Sequence, residues 1–369
     1  MKKSGPFVFV LTLALLMTIV SGCGSGGGNS LENMNGSSGS AASSVPRSGV
    51  SRTTVESSKS GDSYATPSSS VTVAASGATK VYMTTDISPK GLMMVYNALG
   101  RKATGRVAVK ISTGEAGDTY YLHPDLIKDL VHSVNGTIVE CNTAYGGQRA
   151  NTAMHMQVAK DHGFTAIANV DIMDADGSLS LPVKNGSHLK EDLVGSHLKN
   201  YDFVIDLAHF KGHAMAGLGG VIKNMSIGIA SGKTSSGSGK SLIHSAGKAA
   251  SGFAMNTNQD DFLESMAEAA KAVANYEGNH ILYIDVMNNL SVDCDCDSNP
   301  AAPTMKNIGI LGSLDPVALD KACVDLVNAA PDGHDLQERM KSRDGVHTLD
   351  WAQRIGLGSE TYQLVKING

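Results

Sequence analysis

Residues 107–140 read VAVKISTGEAGDTYYLHPDLIKDLVHSVNGTIVE, and this stretch decides the fold class. Val107 to Ile111 is a short run rich in β-branched residues, which predicts a strand. Pro124 to Val134 carries apolar residues at helical spacing with proline at the first position, where a missing N–H costs nothing. Thr137 to Glu140 predicts the next strand. The same alternation extends both ways along the chain. Upstream, Val81-Tyr82-Met83 precedes a helix from Pro89 to Leu99 with Ser88 as its cap. Downstream, the helix Asn151 to His162 closes at Gly163, and strands are expected at Phe203 to Leu207, Ile281 to Val286 and Ile308 to Leu311. Helices are expected at Asp261 to Tyr276 and Val317 to Val327. Strands interleaved with amphipathic helices predict an α/β fold, a mostly parallel sheet with helices on both faces. In such sheets ligands sit beyond the carboxyl ends of the strands, so the loops after strands are where function is sought.

Ahead of this body lies a different kind of sequence. Lys2 and Lys3 precede an apolar run from Phe7 to Val20 that is too short to be a comfortable membrane span. It ends in Val20-Ser21-Gly22-Cys23, which resembles a bacterial lipobox, with Cys23 the residue that would be lipidated. Residues 24 to 78 are dominated by Gly, Ser, Ala and Thr and cannot bury enough surface to offset their ordering entropy. The expected organisation is a signal peptide (1–22), a lipidated cysteine with a disordered tether (23–78) and an α/β domain (79–369). The protein is thus expected on the extracytoplasmic face of the cell membrane, attached through a lipid anchor. A lysine pair is not a twin arginine, so export through the general secretory route is expected, without a preassembled cofactor.

Composition limits the function classes. The chain has 369 residues with a formal net charge of −5, and 18% of its residues are charged, which leaves no electrostatic footprint for nucleic acid. Five cysteines cannot staple a chain of this length, so a hydrophobic core must hold it. Cys141 and Cys323 lie in apolar surroundings and are expected as buried thiols.

Several motifs fail on spacing. Gly232-Lys233-Thr234 and Gly239-Lys240-Ser241 lack the glycine five residues before the Gly-Lys pair that a phosphate loop needs, because Ile227 and Thr234 stand there. This segment reads as a flexible loop. Asp174-Ala175-Asp176-Gly177 lacks the first and last ligands of a calcium loop and reads as a turn. His209 and His213 lack the glutamate of a zinc-protease helix.

Three loop segments carry chemistry. In Asp293-Cys294-Asp295-Cys296-Asp297, two thiols flanked by three carboxylates repel one another as anions, and a cation relieves that repulsion. Thiolates select transition metals, zinc or iron first, with His213 and His244 as partner ligands. A disulfide or oxidised redox pair, and an inert acidic loop, remain open as alternatives. The second segment runs from His209 through Lys211 and His213 to Gly219, Gly220, Lys223 and Asn224, where glycines allow close backbone approach and lysines complement a small anionic ligand. The third is Lys110, closing its strand before Ser112-Thr113-Gly114.

These segments together resemble the domain-of-unknown-function family 362, often labelled uncharacterised iron–sulfur-centre proteins. The resemblance covers about residues 80 to 365 and is carried by Val109-Lys110, Lys211-Gly212-His213, Gly219 to Asn224, Asp293 to Cys296, and Ser313-Leu314-Asp315-Pro316-Val317-Ala318-Leu319-Asp320. Many relatives add a ferredoxin-like module with Cys-x-x-Cys-x-x-Cys runs; this chain has none, so an iron–sulfur cluster is disfavoured. The segment from histidine through the glycine pair to lysine also faintly resembles nickel-cofactor lactate racemases. The expected site has Cys294, Cys296, His213 and His244 on a transition metal, with Gly219, Gly220, Lys223 and Asn224 on an anionic molecule. Lys110 and Lys211 would act in catalysis, with Asp315 or Asp320 orienting the site. Metal-assisted or redox chemistry on a small anion fits these residues; capture of a metal or ligand without catalysis is the alternative.

Overall fold

The structure, a computed structural model, describes residues 78–235, 237–249 and 257–368. The expected signal peptide, Cys23 and tether lie outside the described residues. The chain begins with β1 (Thr79–Thr84), α1 (Pro89–Ala98), β2 (Val107–Lys110), α2 (Pro124–Ser133), β3 (Thr137–Glu140) and α3 (Thr152–Asp161). Three short strands follow, β4 (Val170–Ile172), β5 (Ser178–Pro182) and β6 (Glu191–Gly195), before β7 (Phe203–His209) and the hairpin of β8 (Lys211–His213) and β9 (Gly217–Gly219). Helices α4 (Val221–Met225), α5 (Gly239–His244) and α6 (Gln259–Glu277) lead to β10 (Ile281–Met287) and β11 (Gly309–Ser313). Then come α7 (Pro316–Ala329), α8 (His334–Ser342), α9 (His347–Arg354) and β12 (Tyr362–Lys366).

The main sheet has eight strands in the order β12-β1-β11-β10-β7-β2-β3-β4. Only β11 runs against its neighbours; the β10-β7-β2-β3-β4 run is parallel throughout. Side-chain alternation sends each strand's residues to two separate cores. In β7, Phe203, Ile205 and Leu207 join α1 and α2 residues such as Leu92, Val95, Ile127 and Leu130. Val204 and Ala208 face the other way, toward α4, α6 and α7, with Ile222, Ala270 and Val317. Helices therefore cover both faces, as the α/β reading expects. No helix among the described residues is long and apolar enough to cross a membrane.

The long elements match their sequence signals closely. Ser88 accepts from the Gly91 N–H, Asn151 from the Met154 N–H, and Gly163 takes φ +86° after α3. Some short elements carry no sequence signal. Residues 239–244, expected within a flexible loop, instead form α5, capped by Ser238 and buried through Ile243. A helix this short shows no apolar period, and its glycine and serine content disguises it.

One expected site residue is placed away from the others. Because β11 runs antiparallel, its last residue, Ser313, pairs with Tyr283 near the start of β10. Asp315 therefore emerges at the opposite edge of the sheet from Lys110 and His209. Its carboxylate accepts from Val317 N–H (2.9 Å), Ala318 N–H (3.0 Å) and Ser359 N–H (3.0 Å), which makes it the N-cap of α7. It caps a helix and does not line the cavity at the carboxyl ends of β2 and β3.

Candidate functional site

The carboxyl ends of β2 and β3, with β8, α4 and the loop after β10, line a cavity of about 890 Å³. Its place follows from topology. From β2 the chain moves outward to β3 and β4, whereas from β7 it moves the other way to β10. The seam between β2 and β7 is therefore a switch point, where the connecting loops part and leave a crevice. Across that seam Lys110 and Asp206 stand in register. A volume of this size suits a small ligand or cofactor.

The floor is a matched charge network. Lys110 Nζ donates to Glu140 Oε2 (2.9 Å), Asn224 Oδ1 (3.0 Å) and the Ile111 carbonyl (2.5 Å). Glu140 Oε1 accepts from the Thr113 N–H (2.9 Å) and Arg149 Nη1 (3.3 Å). Burial alone would raise the Glu140 carboxyl, but Lys110 and Arg149 overcome it and hold the group at about 2. Arg149 also reaches Glu115 (3.4 Å). Asn224 Nδ2 donates to Asp206 Oδ1 (2.6 Å) and to the Lys110 carbonyl (3.1 Å). Asp206 is fully buried, burial pushes its carboxyl well above the ordinary range, and its other oxygen has no partner among the described residues. Lys110 and Asn224 are thus occupied in holding one another, which makes them positioning groups.

Helix α4 carries Asn224 and Lys223 into the site, and Asp320 fixes its start. The buried Asp320 carboxylate accepts from the Val221 N–H (2.9 Å) and the Ile222 N–H (3.1 Å). Gly220 is required by this contact, since a Cβ there would lie 2.4 Å from Asp320 Oδ1. Lys223 differs from the other lysines here. It lines the cavity half-buried, and its ammonium has no hydrogen bond or ion pair among the described residues. Burial, and then the nearby Lys211 charge, bring its amine down to about 7. Lys240 also lines the cavity but donates to the Ala230 carbonyl. Gly219 and Gly220 shape the turn into α4 and do not line the large cavity.

The Cys-x-Cys loop forms the rim. Residues 288–300 lie against β8, where the Gly212 N–H donates to the Ser291 carbonyl (2.8 Å). Only glycine permits that approach, because a Cβ at 212 would sit 2.2 Å from the Val292 carbonyl oxygen. Between the cysteines, Asp295 turns inward to a buried ion pair with Lys211 and to His209 Nδ1 (3.0 Å). Arg149 Nη2 donates to the Asp295 carbonyl (3.3 Å), and the Tyr145 hydroxyl to the Cys296 carbonyl (3.2 Å). Lys211 therefore lies beneath the rim as an anchor rather than in the cavity wall.

Cys294 and Cys296 are joined as a disulfide. With His213 they offer ligand atoms that all lie within 4.8 Å of one another, a set able to hold one metal ion when the thiols are free. His244 lines the same cavity but stands outside this cluster, with Nδ1 bonded to the Lys240 carbonyl (2.7 Å) and its ring stacked on Phe262. His213 Nδ1 accepts from the Met215 N–H (3.1 Å) and the Ala216 N–H (2.9 Å). Burial, reinforced by Lys223, pushes His213 well below the ordinary imidazole range, so the ring is neutral with its proton on Nε2. That nitrogen faces Cys296 Sγ at 3.8 Å. The other two described cysteines are not in this cluster: Cys141 is buried and donates to the Ile229 carbonyl, and the buried Cys323 faces Asp285.

Of the residues expected from sequence, the structure brings together Lys223, His213, Cys294 and Cys296 at the cavity, with Lys110, Asn224, Lys211 and Asp320 supporting them. Glu140, Arg149, Glu115 and Lys240 were missed. One signal was present: consecutive strands VAVK and TIVE end in opposite charges, and adjacent parallel strands bring their ends together.

A family model described as domain of unknown function (DUF362) matches residues 107–325, a span that includes the cavity residues named above from Lys110 to Cys296. No curated protein matches the chain. Among solved structures it is similar to the lactate racemase apoprotein from Thermoanaerobacterium thermosaccharolyticum, at 15% identity and a TM-score of 0.33, covering 56% of this chain and 50% of that one. The chain thus spans about half the length of that protein.

Proposed function

The chain belongs to the DUF362 family, and from that premise we propose that its cavity binds a small anionic molecule beside a Cys-x-Cys group that acts in metal-dependent or redox chemistry. The observation that carries this reading is Lys223, whose amine lies in the wall of an 890 Å³ cavity with no hydrogen bond or ion pair among the described residues. Every other lysine at the site already has a partner, so an incoming carboxylate or phosphate finds one cation free to pair.

The metal half of the reading rests on the donor set. Two thiolates and one imidazole would hold zinc or iron and leave a fourth position open to the bound molecule, the arrangement of a catalytic rather than a structural ion. The ion would supply Lewis acidity or, for iron, an electron. Ligation would displace protons from both thiols, so uptake strengthens as pH rises; the neutral His213 ring would bind through a nitrogen lone pair and release no net proton. The test is elemental analysis of the full chain after anaerobic reduction and incubation with zinc or ferrous iron. About one ion per chain, lost in the Cys294→Ser/Cys296→Ser variant, is the expected result. Equal metal content in a folded double variant contradicts the ligand assignment.

The same reading places the protein on the extracytoplasmic membrane face, held by lipid on Cys23; the support is the Val20-Ser21-Gly22-Cys23 sequence after a basic and then apolar segment. Cys23→Ser is expected to move the chain from the membrane to the soluble fraction. Retention of that variant in the membrane contradicts lipid anchoring.

A further inference from the structure

The Cys294–Cys296 disulfide sits at the cavity mouth with its two sulfurs in unlike surroundings. Both line the cavity, but Cys294 is only 4% exposed, whereas Cys296 is half-buried. The Cys296 N–H lies 3.4 Å from Cys294 Sγ, and His213 Nε2–H faces Cys296 Sγ. Each sulfur therefore has a hydrogen-bond donor ready for the negative charge it would carry as a thiolate. The loop does not depend on the S–S bond for its place, because Asp295, the Asp295 carbonyl and the Cys296 carbonyl are separately tied to Lys211, Arg149 and Tyr145.

We propose that this disulfide is a thiol–disulfide exchange site for small thiols that carry a carboxylate, entered at Cys296. The carboxylate pairs with Lys223 across the cavity, and the thiolate attacks Cys296 Sγ, the more open sulfur. The S–S bond breaks, and the electron pair leaves on Cys294 Sγ, where the Cys296 N–H receives it and solvent then supplies a proton. A second thiol attacks the substrate sulfur of the mixed disulfide, releasing the substrate disulfide and the Cys296 thiolate beside His213. Two thiols are oxidised and one protein disulfide is reduced. The carboxylate half rests on the anion reading above; the exchange half does not.

The experiment follows the opening of the oxidised full chain by mercaptoacetate and by neutral 2-mercaptoethanol, with rates expressed per thiolate and adducts trapped by acid for mass analysis. The expected result is an adduct on Cys296 and a rate about tenfold higher for mercaptoacetate, an advantage that disappears in Lys223→Met. Cys294→Ser, which retains Cys296 alone, is expected to form a mixed disulfide with oxidised mercaptoacetate, and Cys296→Ser to form none. An adduct on Cys294, or none with either thiol, overturns the exchange site while leaving anion binding separately measurable. Equal rates for the two thiols, or a mercaptoacetate advantage that survives in Lys223→Met, overturn the carboxylate assignment.

Discussion

Glu140→Ala is expected to destabilise the protein by about 3–5 kcal/mol, the cost of stranding buried charge. Glu140 is 4% exposed and is the shared counter-ion of Lys110 (2.9 Å) and Arg149 (3.3 Å). Removing it leaves Lys110 with only neutral acceptors, the Ile111 carbonyl and Asn224. Arg149 keeps Glu115, and that is why the loss is not larger. Adding Lys110→Met to Glu140→Ala is expected to recover part of the stability, since the two residues share one interaction. Thermal or denaturant unfolding of the three proteins checks both statements. The pH dependence has a definite sign. Glu140 is held at about 2 against 4.5 for a free side chain. Its contribution is therefore complete above pH 4.5 and is lost as pH falls from there toward 2, an amount of about 3 kcal/mol that Glu140→Ala should not show.

The strands and longer helices were legible because their burial writes a period into the sequence. In β7 and β10 nearly every residue is apolar. The Asp that interrupts each run, Asp206 and Asp285, was a visible anomaly whose meaning depends on α4 and α7 packing over that face. The sequence cluster His209 to Asn224 is one continuous segment that supplies β8, β9 and α4. It could not say which lysine was free. Lys211 and Lys223 look alike in sequence; the difference is made by Asp295, which arrives from a loop more than seventy residues away. Strand direction was equally hidden. Asp315 lies in a motif that reads like site chemistry, and only the reversal of β11 carries it to the far edge of the sheet.

Lys223→Met is expected to weaken small-anion binding by at least about tenfold, the loss of one charge-assisted pair in a partly desolvated wall. Methionine keeps the length and apolar stem of lysine, so the cavity shape survives. The wild-type protein carries a second signature. Burial and Lys211 bring the free Lys223 amine to about 7. The amine is protonated below that value and neutral above it, so affinity should be highest near pH 6 and fall about tenfold by pH 8. Lys223→Met should lack that pH dependence. A bound anion favours the ammonium, so complex formation near neutral pH should also take up protons, visible as a dependence of binding heat on buffer.

The most direct measurement is a calorimetric titration of acetate, malonate and phosphate into the full chain near pH 6, with Lys223→Met beside it. The account predicts saturable single-site binding of at least one of these anions, weakened at least about tenfold in the variant. Absence of saturable binding by all three, or equal affinity in a folded Lys223→Met protein, would contradict it.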